Sequence, residues 1–97
     1  MSVEEITKNK DEIVKKAVEN DKKFMEMTVD IITEYFEKNP EGCSSGNMCP
    51  EMLAAKCEGM PLITEARINQ VLDILYNEGY LDRKIPEGTG AIHYSLK

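Results

Sequence analysis

The chain has 97 residues, of which 41% are hydrophobic and 31% charged, and its formal net charge is −6. That is enough chain for one domain with a modest core, and no apolar run approaches the ~18 residues of a membrane span. The acidic excess argues against non-specific binding to nucleic acid, because phosphate contacts need Lys and Arg.

Residues 1–20 are charged throughout and hold no signal-peptide hydrophobic region, which points to the cytoplasm. Val3 to Asn20 reads as one helix. Ile6, Ile13 and Ala17, with Val14 and Val18 beside them, form an apolar stripe opposite a Lys/Glu-rich side. Asp11 and Lys15, and Glu12 and Lys16, are i, i+4 pairs in the favourable order. Two occupants fit the stripe: the chain's own domain, or a second copy in a homodimer. Residues 1–27 are accordingly read as a helical extension, and 28–97 as the domain proper.

Asn20-Asp21 offers a cap and a break. Phe24 to Lys38 is the first core helix, burying Ile31, Ile32, Tyr35 and Phe36, with Phe24 and Thr28 in the turns before. Asn39-Pro40-Glu41-Gly42 ends it, since Pro cannot continue helical hydrogen bonding. Residues 43–48 are a loop with room for a short strand. Pro50 suits a first helical turn, and the helix from Pro50 to about Cys57 buries Leu53 and Ala54. Gly59 terminates it, and residues 59–63 form a turn.

From Thr64 to Glu78 the apolar period is helical. Ile68, Leu72 and Leu75 recur at i, i+4, i+7 and share one face. Thr64 is placed as N-cap, and Gly79 stands where a left-handed residue belongs. The period then changes to two. Tyr80 to Ile85 reads as a strand, Pro86 to Gly90 as a turn, and Ala91 to Lys97 as a strand with Ile92, Tyr94 and Leu96 on one face. The predicted class is mainly α with a small antiparallel β-hairpin, an α+β arrangement. Leu53, Ile68, Leu72, Leu75, Leu81, Ile92 and Tyr94 are expected to join Ile32 and Phe36 in one core.

The phrase Glu51 to Lys56, then Thr64, Ile68, Leu72, Leu75 and Gly79-Tyr80-Leu81, followed by a hairpin closing on Tyr94-Ser95-Leu96, resembles the winged helix-turn-helix superfamily. The likeness covers about residues 28–97 and identifies no single family within it. It implies a small transcriptional regulator that binds duplex DNA as a dimer, with residues 1–27 as an added helical element. By that resemblance, residues early in the Thr64–Glu78 helix enter the major groove: Glu65, Arg67, Asn69 and Gln70. Arg pairs bidentately with guanine, and Asn or Gln with adenine. Arg83, Lys84 and Lys97 are then phosphate contacts. Residues 56–70 and 83–97 hold five bases and three acids, a charge of +2 against −8 for the rest of the chain. Two departures count against tight binding: Gln70 stands where such domains often carry Arg, and the wing tip holds Glu87.

Ile74 and Tyr76 lie off the Ile68–Leu72–Leu75 face, so something must cover them: the N-terminal helix, a second protomer or another protein. A second reading follows, in which the fold serves as a protein-interaction module and the acidic surface keeps DNA away. A third is a thiol- or metal-responsive regulator using Cys43, Cys49 and Cys57. Their spacing lacks the C-x2-C signature of structural zinc, and a helix from residue 50 to 57 puts Cys49 and Cys57 about 12 Å apart at ~1.5 Å per residue. One metal needs its thiolates within a few ångströms. No metal or cofactor is therefore expected; the cysteines are read as thiols, with a regulatory disulfide as the alternative because Cys43 and Cys49 flank a loop and could approach each other, and Cys57 is read as a core residue beside Leu53. His93, the only histidine, is expected to face outward. No grouping of Ser, His and Asp and no facing carboxylate pair suggests an enzyme.

Overall fold

The computed structural model describes residues 3–16, 22–42, 49–57, 59, 63–84 and 92–97. Ala17, the Asn20-Asp21 break, Cys43 with the loop to Met48, and the wing turn with Glu87 fall outside them. Among the described residues there are five helices and two strands. They are α1 (Val3–Lys8), α2 (Lys10–Lys15), α3 (Lys22–Lys38), α4 (Cys49–Ala55), α5 (Glu65–Asn77), β1 (Leu81–Lys84) and β2 (His93–Leu96). No helix among them is long and apolar enough to cross a membrane.

α3 is the axis of the fold. Met25, Val29, Ile32 and Phe36 recur at i, i+4, i+7 and i+11 and are fully buried. Met25 and Val29 were not among the expected core residues, while Phe24 and Ile31, which were, are half-buried. Two threonines also lie on the buried side. Each satisfies its hydroxyl inside the helix: Thr28 Oγ1 donates to Phe24 O and Thr33 Oγ1 to Val29 O, both at 2.7 Å.

The N-terminal segment is two helices rather than one. Asn9, with φ −101° and ψ 15°, separates them, and its side-chain amide donates to the Tyr80 hydroxyl at 2.9 Å. α1 and α2 pack on α3, and α2 also meets α5. Lys10 pairs with Asp30 of α3 at 3.1 Å, and Lys16 pairs with Glu78 at the end of α5. The core is continuous from Ile6, Ile13 and Val14 through Leu53, Ile68, Leu72, Leu75 and Leu81 to Tyr94. Ile92 is half-buried and packs on its margin.

β1 and β2 pair antiparallel, with Leu81 opposite Leu96 and Arg83 opposite Tyr94. The chain just after α3 runs beside β2. Leu96 N–H donates to Pro40 O at 3.0 Å. Gly42 (φ +82°) passes so close that a Cβ there would collide with the Tyr94 carbonyl oxygen, so only glycine fits.

Candidate nucleic-acid interface

α5 is defined at both ends by its own sequence. The Thr64 hydroxyl accepts the Arg67 backbone N–H at 3.3 Å, the expected N-cap. At the other end Tyr80 N–H reaches Leu75 O and Gly79 N–H reaches Tyr76 O, with Gly79 at φ +87°. That is the Schellman pattern, and it turns the chain directly into β1. The inner face buries Ile68, Val71, Leu72 and Leu75. The outward side carries Ala66, Asp73 and Asn77 exposed, with Asn69, Gln70, Ile74 and Tyr76 half-buried.

The basic residues among the expected DNA contacts divide into two groups. Lys84 and Lys97 are exposed, and neither has an ion pair among the described residues. The two arginines rest on rings of their own chain. The Arg67 guanidinium lies over Phe24 of α3, 5.4 Å from the ring centre. Arg83 lies over Tyr76 at 4.0 Å, and its Nη1 reaches Asp73 Oδ1 at 3.2 Å. A side-chain hydrogen bond with Tyr94 is the first cause holding the Arg83 pKa above its ordinary value, and the charge of Asp73 adds to it. Lys56 stacks likewise, 5.4 Å from the centre of the Tyr35 ring. Phe24 and Asp73 as partners were missed by sequence reasoning. The available signal was that Asp73 precedes Tyr76 by three residues on the outward side of α5.

The same geometry answers what covers Ile74 and Tyr76. Tyr76 lies under Arg83. Ile74 lines a small cleft of about 350 Å³ with Lys16, Gln70, Asp73, Asn77 and Glu78. Chain-internal groups thus lie against both. Ile6 and Ile13, read as a partner surface, need correcting: they are 0% and 2% exposed inside the chain's own core. An apolar stripe already buried in the protomer has no area left for a second copy. Ala17, grouped with them, lies outside the described residues.

The cysteines also part company. Cys57 is a buried free thiol beside Leu53, Sγ donating to Leu53 O at 3.4 Å. Burial pushes its pKa up. Cys49, expected as a thiol, is disulfide-bonded. Its buried sulfur packs 3.7 Å from Tyr94 O and has no hydrogen to donate. A disulfide sulfur is not a thiolate ligand, and among the described residues no group of three His, Cys, Asp or Glu is placed to hold a metal ion. His93 is not simply outward: its Nε2 lies 3.1 Å from Glu41 O, another tie between β2 and the chain just after α3.

A wider concavity, about 750 Å³, lies elsewhere, between α1, the end of α3 and β2. Val3, Phe36, Pro40 and Leu96 form its apolar wall, and no α5 residue lines it. Comparisons with protein families, curated proteins and solved structures found no match.

Proposed function

We propose that this chain is a winged-helix domain that binds duplex DNA sequence-specifically and serves as a small transcriptional regulator. One observation supports the reading above the rest. α4 packs against a capped α5, and a Schellman turn leads straight into an antiparallel hairpin. That is the order in which such domains present a recognition helix and wing. α5 brings Asn69 and Gln70 to its outward side near its start, and both side chains suit an adenine edge. Lys84 and Lys97, exposed on and beside the hairpin strands, suit backbone phosphates. Arg67 reaches a base only by leaving the Phe24 ring. With a net charge of −6, affinity for random duplex is expected to be low at physiological salt, and specific binding has to rest on base contacts. A two-fold dimer would let the domain read paired half-sites, and its contact has to lie away from Ile6 and Ile13.

The test is selection from a random duplex library at ~50 mM salt, where screening is weak, followed by titration of variants on the winning site. Asn69→Ala or Gln70→Ala should cost about 1–3 kcal/mol there and relax the preference at one base position. Lys84→Ala should weaken all sequences alike and lower the salt slope by about one. Failure to enrich any sequence removes the DNA reading.

A second reading has its own observation. Lys56, Arg67 and Arg83, three cations of the expected DNA face, lie over the chain's own aromatic rings. That arrangement suits a protein-interaction module whose basic groups serve the fold. An unenriched library together with a stable, monodisperse protein would favour it.

A further inference from the structure

We infer that Asp73 sets the affinity of the protein for DNA by occupying Arg83 in the place of a phosphate. The inference rests on the DNA reading above.

Arg83 sits on β1 and reaches back to α5. Two α5 residues three apart receive it, Tyr76 under the face of the guanidinium at 4.0 Å and Asp73 at its Nη1 edge at 3.2 Å. A carboxylate and a phosphate offer a guanidinium the same kind of charged oxygen acceptors. The donor that would hold the DNA backbone beside α5 is therefore already engaged by α5's own acid. The two side chains are 30% and 56% exposed, and an ion pair this open to water is weak. It is an exchangeable contact: an arriving phosphate displaces Asp73 instead of being shut out. The Tyr76 ring keeps the guanidinium on the outward side of α5 when the carboxylate is gone. Displacement costs the same on every sequence, because a phosphate contact carries no base information. Asp73 thus lowers affinity across the board and leaves discrimination to Asn69 and Gln70.

The experiment uses the full chain in four forms: wild type, Asp73→Asn, Arg83→Ala and the double variant. Each is titrated on the selected duplex and on a random duplex between ~50 and ~200 mM salt. Thermal melts establish that each form is folded, with Arg83→Gln replacing Arg83→Ala if the alanine variant is not. Asp73→Asn should tighten both duplexes by about two- to fivefold, the worth of an exposed ion pair, and leave the salt slope nearly unchanged, because Arg83 holds the same phosphate in both complexes. In the Arg83→Ala background the same change should have little effect, because Asp73 then has no cation to hold. Equal tightening in both backgrounds overturns the inference, since Asp73 would then be repelling DNA on its own account. No tightening with Asp73→Asn, while the wild type binds, overturns it and leaves the DNA reading standing. Binding by Asp73→Asn with a silent wild type upholds it. Silence from all four forms defeats the DNA reading and this inference together.

Discussion

On the inner face of α5, Ile68, Val71, Leu72 and Leu75 are 0 to 1% exposed. On the outer side Ile74 and Tyr76 are only half covered, Tyr76 by a cation and Ile74 in a cleft with Lys16 and Glu78. The inner face is fixed by area removed from water, a force indifferent to direction and to salt. The outer side is fixed by oriented contacts in high dielectric, each weak and each open to competition. A partner can rearrange the second kind of surface without disturbing the first. The difference separates what folds α5 from what α5 has available to bind with.

The sharpest way to break that contrast is Leu72→Ala. It should cost roughly 2–5 kcal/mol in urea unfolding, the range for a buried leucine. A loss below about half a kcal/mol would mean that the inner face does not hold the fold together. Smaller, but decisive for the N-terminal segment, is Ile13→Val, expected to cost about 0.5–1.5 kcal/mol. Because Ile13 is covered by its own chain, that loss should not vary with protein concentration. A loss that appears only at high concentration would return Ile13 to a dimer interface.

The smallest effect concerns Cys57. Burial raises its pKa in the folded state, so folding favours the neutral thiol. Its contribution to stability is then present below the ordinary thiol value and is lost as pH rises through the raised one. Wild type should lose slightly more stability than Cys57→Ala between neutral and alkaline pH. In the folded protein at neutral pH the thiol should resist alkylation, and it should react once urea exposes it. Rapid alkylation of the native protein would show that the segment after α4 opens.

Periodicity made most of the fold readable. The Ile68–Leu72–Leu75 face, the Thr64 cap, the left-handed Gly79 and the change to period two all follow from local rules, and all are present. The errors have physical reasons as well. Ile6 and Ile13 announce an apolar face but not its occupant, because a stripe looks alike whether its own chain or another covers it. On α3, Ile31 with the aromatic pair at 35 and 36 marks an apolar face offset from the buried stripe that Met25 and Val29 continue. The break at Asn9 carries no Pro or Gly, and it coincides with a hydrogen bond to Tyr80, far along the chain. The candidate interface was the least legible part. Its residue types were readable, but the partners that engage them are set by tertiary packing: Arg67 with Phe24 across 43 positions, and Arg83 with Asp73 across ten.

The chain has no tryptophan and four tyrosines, and each tyrosine stands at a seam. Tyr35 of α3 lies under Lys56, which follows α4. Tyr76 of α5 lies under Arg83 of β1. Tyr80, where α5 gives way to β1, takes the Asn9 amide. Tyr94 of β2 stands opposite Arg83, and its carbonyl lies against Gly42 in the segment after α3. The protein's tyrosine fluorescence therefore originates where elements meet. Replacing the tyrosines with phenylalanine one at a time would split that optical signal into four separate reports on docking, obtained without attaching a dye.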